Sequence, residues 1–94
     1  MAQFHIHPHN PAARFTIEGF HTWCATTACA PDGRYHLYAS AWPEETGHNG
    51  WVTHSRIVHA VSDSPLGPFE FCGVVLGPRT KNLWDRDVAH NPTI

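Results

Sequence analysis

Apolar and polar residues alternate with a period of two along much of this chain. Arg34 to Trp42 (RYHLYASAW) shows the pattern most clearly. It sets Tyr35, Leu37 and Ala39 on one face of an extended segment and His36, Tyr38 and Ser40 on the other. His21 to Ala30 (HTWCATTACA) precedes it, rich in Trp, Thr and small residues, and Pro31-Asp32-Gly33 between the two runs carries a turn signal. Two extended runs joined through Asp-Gly predict a β-hairpin. Ser55 to Ser62 (SRIVHAVS) and Glu70 to Leu76 (EFCGVVL) bring back the β-branched pattern, separated by Asp63-Ser64-Pro65-Leu66-Gly67-Pro68. No stretch repeats its apolar residues at the three-and-four spacing of a capped helix, and Gly and Pro recur throughout. The pattern predicts an all-β fold, an antiparallel four-stranded meander.

The flanks are less regular. Pro8, Asn10 and Pro11 break any period near the amino end, so residues 1–18 read as a lead-in arm. His5, His7 and His9 alternate within it, a spacing that puts three imidazoles on one face of a strand and can hold a transition metal. Pro8 and the terminal position favour a polar arm instead. Pro43 to Thr53 (PEETGHNGWVT) reads as a long exposed loop, of the kind that carries function on a rigid scaffold. Residues 19–78 then make up the meander, and residues 79–94 a polar loop leading into Val88 to Ile94, whose last residues read as the opening of a fifth strand. At 94 residues there is room for one small domain. A lone four-stranded sheet leaves a face in water, whereas β-architectures close or stack repeated units. The expectation is therefore a piece of a larger β-structure; a single copy of a repeated unit shows no internal repeat.

Composition narrows the function classes. Six Lys and Arg against eight Asp and Glu give a net charge of −2, which is no footprint for a phosphate backbone, so a nucleic-acid partner is not expected. No apolar run approaches the roughly 18 residues of a membrane span and no signal-peptide pattern opens the chain, so a membrane partner is not expected and the expected location is cytoplasmic unless a segment precedes Met1. Cys24, Cys29 and Cys72 form an odd set without CxxC spacing, which reads as reduced structural thiols rather than a disulfide framework or zinc ribbon. Nine His and four Trp locate the interest without naming the chemistry.

Two motifs sharpen the reading. Asp32-Gly33-Arg34-Tyr35-His36-Leu37-Tyr38-Ala39-Ser40, followed by Ile57-Val58-His59-Ala60-Val61-Ser62-Asp63-Ser64-Pro65-Leu66-Gly67-Pro68-Phe69, resembles the first blade of the five-bladed β-propeller glycoside hydrolases, family 43 and relatives. There a "dGkYyLyyS" strand is followed by an "A.SdsplGPF" strand and turn. Trp84-Asp85 and His90-Asn91-Pro92-Thr93-Ile94 are similar to the approach to the next blade. The resemblance covers roughly residues 19 to 94. It implies a protein that binds and hydrolyses glycosidic bonds in a funnel along the propeller axis, with a carbohydrate substrate and no cofactor. The alternative is a carbohydrate-binding propeller without hydrolysis. The family's acidic trio comes from different blades, and an inverting pair needs its carboxyls about 6.5–9.5 Å apart. A single blade is expected to be inactive, because one wall of a funnel cannot hold two opposed groups.

The chain departs from the family at the acids. Where the first-blade Asp belongs, it has Trp23, Cys24, Ala25, Thr26 and Thr27, and where a Pro-Asp pair is usual it has Pro92-Thr93. Asp85 and His90 become the catalytic candidates, since His does acid or base work near neutral pH; for each the other reading is a structural hydrogen bond. Asp87 reads as a solvated loop charge. His21, Trp23, Trp42 and Asn91 are the substrate-binding candidates, because sugar rings stack on Trp and sugar hydroxyls need fixed partners. Trp51 and His54 form a rim or an ordinary surface contact, and packing between blades is the other reading of Trp23. Glu44-Glu45 reads as solubilising charge, Asp63 as a turn cap, and Arg56 and Arg79 as ion-pair partners.

Overall fold

A computed structural model describes residues 11, 14–77 and 88–94 of the chain. Four antiparallel strands lie side by side in chain order: β1 (Phe20–Cys29), β2 (Tyr35–Pro43), β3 (Arg56–Ser62) and β4 (Glu70–Leu76), with a one-turn helix α1 (Trp51–His54) between β2 and β3. This is the all-β meander that the alternation predicts, and each strand falls within a residue of its expected place.

The turns form where the sequence puts them. Gly33 sits at φ +83°, a left-handed conformation open to glycine, and the Asp32 side chain accepts a 2.9 Å hydrogen bond from the Arg34 amide. At the β3–β4 turn the expected cap is reassigned. Ser62 Oγ accepts from the Ser64 amide at 3.1 Å and Ser64 Oγ from the Leu66 amide at 3.3 Å. Asp63 instead reaches Arg34 of the neighbouring turn at 3.3 Å. Both side chains of that pair face solvent, so it contributes little.

Directly opposed residues of antiparallel strands share a face, so the register sorts the sheet into two sides. Leu37, Ala39 and Ala41 of β2 and Val58 and Ala60 of β3 make the core. Phe15, Ile17, Phe20 and Phe69 pack over them. The segment read as a lead-in arm therefore contributes to the core from Phe15 onward. Small residues at 39, 41 and 60 let these larger side chains lie close to the sheet. The opposite face carries His36, Tyr38, Ser40, Trp42, Ile57 and His59. There Nδ1 of His36 and Nε2 of His59 are 2.9 Å apart, and His59 stacks on Tyr38 with ring centroids 4.8 Å apart.

Both outer strands are irregular. Between Trp23 and Thr26 β1 advances three residues while β2 advances two, a β-bulge centred on Cys24, whose φ is +52°. Strand β4 carries two further register shifts, and Phe71, Val74, Val75 and Leu76 are all exposed. The three cysteines are free, in keeping with reduced thiols outside a disulfide framework, but all are exposed rather than packed in the core as structural thiols would be. Arg56 also differs from its expected ion-pair role: its guanidinium lies over the Phe20 ring at 5.6 Å and donates to the His54 carbonyl. No helix among the described residues is long and apolar enough to cross a membrane.

Burial separates the strands energetically. Val58 is 1% exposed, and truncating it in V58A removes core methyls and leaves a cavity, costing about 2 kcal/mol. Val75, 54% exposed, is expected to change stability by less than about 0.5 kcal/mol in V75A. Urea denaturation of the two variants checks the difference.

Candidate functional site

The site grows out of the end of β2. Trp42 lies opposite His21 on β1, and at 2% exposure it is among the largest buried side chains. A buried indole N–H requires an acceptor. Trp42 Nε1 donates to the Gly47 carbonyl at 3.2 Å, which holds the following segment against the sheet. That segment is wound rather than irregular: two 3₁₀ turns, Glu44–Thr46 and His48–Gly50, lead directly into α1. Thr46 Oγ1 donates to the Pro43 carbonyl at 2.7 Å. Gly50 is buried, and a Cβ there would collide with the Thr46 side chain and come within 2.9 Å of the Trp42 ring. Only glycine fits. Turns of this kind need a few hydrogen bonds and a glycine, not an apolar period, which is why the sequence reads as a plain loop.

The second wall comes from the far end of the chain. The Ala89 amide donates to the Ser55 carbonyl at 2.8 Å, Ser55 Oγ and His90 Nδ1 are 2.7 Å apart, and the Asn91 amide donates to Ser40 Oγ at 2.7 Å. Ser40 and Ser55 are both fully buried. Two buried hydroxyls thus fasten residues 89–91 across the ends of β2 and β3. Asn91 adopts φ +53°, which asparagine tolerates better than most residues.

Between these walls lies a pocket of about 300 Å³ lined by Trp23, Trp42, His48, Trp51, His90 and Asn91. The His90 ring lies 5.7 Å from Trp42 and 5.3 Å from Trp51, both tilted, and His48 meets Trp23 and Trp42 edge to face at 6.4 and 6.5 Å. Trp23 is 53% exposed, so a large indole face is offered to solvent at the mouth. No carboxylate lines the pocket among the described residues, and Glu44 and Glu45 are exposed on the loop, in keeping with a solubilising role. Burial lowers the His90 pKa from its ordinary 6.5 and favours the neutral ring. On the same sheet face, His59 is lowered by burial and then by the charge of His36.

Of the residues singled out from the sequence, Trp23, Trp42, His90 and Asn91 come together here. His21 does not line the pocket; its ring packs on Trp42 from the β1 side at 5.5 Å. Asp85 lies outside the described residues, as do Asp87, Arg79 and His5, His7 and His9. Trp51 joins the lining, while His54 bonds Thr53 at the surface. His48 was not legible as a site residue; its one signal is its place in a segment between two glycines. In comparisons with known proteins, no family model, no curated protein and no solved structure matches the chain.

Two outcomes follow. Removing the acceptor for the Asn91 amide in S40A leaves a buried donor unpaired and is expected to release residues 89–91, seen as faster hydrogen exchange at the Ala89 and Asn91 amides with β2–β3 protection retained. Because His59 and His90 hold protons less readily folded than unfolded, their contribution to stability is fully present above about pH 6.5 and declines as pH falls below it. Thermal melts from pH 7.5 to 5 should show a falling midpoint, with a shallower slope in H90Q.

Proposed function

We propose that the chain supplies the carbohydrate-binding wall of a glycoside hydrolase. The observation that carries this reading is the pocket itself, in which Trp23, Trp42 and Trp51 surround two imidazoles and an asparagine. Sugars present apolar ring faces that stack on indole, and ring-edge hydroxyls that require polar partners, and this lining offers both. Its volume lies at the low end of ligand pockets, about 300–1,000 Å³, which suits a small ligand.

The architecture supports the same reading. A four-stranded antiparallel meander in simple order is the form of one propeller blade, and the two motifs that resemble family 43 fall on β2 and on β3 with its following turn. The exposed apolar residues of β4 would be covered by a neighbouring blade. In a propeller the carboxylates for hydrolysis come from several blades, so a pocket with aromatic and imidazole groups and no acid is compatible with one wall of such a site. Asp85 remains a candidate from this chain for proton transfer, and His90 lines the pocket as a candidate for contact with the sugar.

A second reading, carbohydrate binding without hydrolysis, is favoured by the absence of a carboxylate from the pocket lining among the described residues. Both readings share the indole platform. Titrating the chain with xylo- and cello-oligosaccharides is expected to quench tryptophan fluorescence saturably, and W23A and W51A are each expected to weaken binding about tenfold or more. Turnover of aryl glycosides by the chain alone is not expected. Absence of saturable binding to any neutral oligosaccharide would refute the sugar assignment.

A further inference from the structure

His90 presents two ring nitrogens with different surroundings. Nδ1 lies 2.7 Å from Ser55 Oγ, while Nε2 has no hydrogen-bond partner among the described residues. Which nitrogen carries the proton decides whether the pocket meets a donor or an acceptor. The Ser55 hydroxyl answers this. Ser55 is fully buried, and Nδ1 of His90 is the one acceptor within reach of its O–H among the described residues. If Nδ1 carried the proton and donated to Ser55 Oγ, the serine hydrogen would be buried without an acceptor among the described residues, an arrangement that folded proteins avoid. If the serine donates to Nδ1, both groups are satisfied and the ring proton moves to Nε2.

We infer that Ser55 is a positioning residue that locks His90 as the Nε2–H tautomer, making it a hydrogen-bond donor to an acceptor oxygen of a neutral sugar in the pocket. The ligand class rests on the carbohydrate reading above; the tautomer does not. The three indoles alone would also suit a quaternary ammonium, since such cations bind in aromatic cages. An N–H on a ring that lines the same space opposes a cation and rewards an acceptor, so Ser55 selects between two ligand classes that share the aromatic walls. It also narrows the role of His90. A ring whose Nδ1 already accepts from Ser55 and whose Nε2 already carries a proton has no free lone pair with which to act as a base. Its contribution is recognition, and proton abstraction falls to other groups.

Long-range ¹H–¹⁵N spectra of the full chain at pH 7.5 test this. The expected pattern for His90 is a pyridine-like Nδ1 and a pyrrole-like Nε2. In S55A the two nitrogens are expected to move toward the averaged shifts of a ring exchanging between tautomers, while the β2–β3 amide signals stay in place. A protonated Nδ1 in the wild-type chain, or an unchanged tautomer in S55A, overturns the assignment; the wild-type measurement stands whether or not the variant folds. Adding cellobiose or xylobiose is expected to shift the His90 Nε2 signal, with several-fold weaker binding in S55A. Tetramethylammonium is expected to leave that signal unmoved. If the tautomer is as stated and neither disaccharide shifts the ring, the sugar reading falls and the Ser55–His90 arrangement stands. A shift with tetramethylammonium in place of the sugars overturns the ligand class.

Discussion

An indole buried at the end of a strand brings an N–H that needs an acceptor, and everything around the pocket depends on how Trp42 meets that need. Its bond to the Gly47 carbonyl turns a polar, glycine-containing segment into packed structure. Gly50 then has to remain without a side chain because the same indole occupies the space. His21, His48 and His90 all lie against the ring, from β1, from the wound segment and from the far end of the chain. Three parts of the sequence with no local relation to one another are therefore organised by one side chain. The core on the other face of the sheet supplies the stiffness this requires, since Leu37, Ala39 and Ala41 alternate with the site residues on the same strand.

Strand positions were legible because a half-buried sheet leaves a period of two, and the Asp-Gly signal between β1 and β2 marks a turn that glycine alone enters easily. What eluded the sequence was structure without periodicity. The run from Pro43 to Gly50 reads as loop because its order comes from one tryptophan and a few main-chain bonds. Residues 14–17 read as an arm because irregular backbone gives no sign that Phe15 and Ile17 lie over the core. Asp63 reads as the cap of its turn, yet the serines on either side are the residues whose hydroxyls reach the amides. A serine cap and an aspartate cap look alike in sequence, and only the side-chain direction separates them.

For the site, the aromatic candidates could be found because tryptophan is costly to expose and informative wherever it clusters. Trp23, Trp42, His90 and Asn91, far apart in the sequence, stand around one pocket. The two serines that hold the second wall in place give no such signal. Ser40, within β2, and Ser55, just ahead of β3, are ordinary polar residues, and their importance lies in being fully buried opposite an amide and an imidazole distant in the chain. Long-range polar pairing of that kind has no counterpart in local pattern.

The bulge at Cys24 sets the parity of β1. Before it, odd-numbered residues share the face of Trp42, which is why His21 and Trp23 stand on the pocket side while Phe20 reaches the core. After it the assignment inverts, and Thr26 and Ala28 take the pocket face. One extra residue thus works as a phase change in an otherwise two-stroke pattern. A chain without it could pair either end of β1 correctly but not both, so the aromatic content of the pocket and the apolar content of the core are held in step by a single surplus residue on an edge strand.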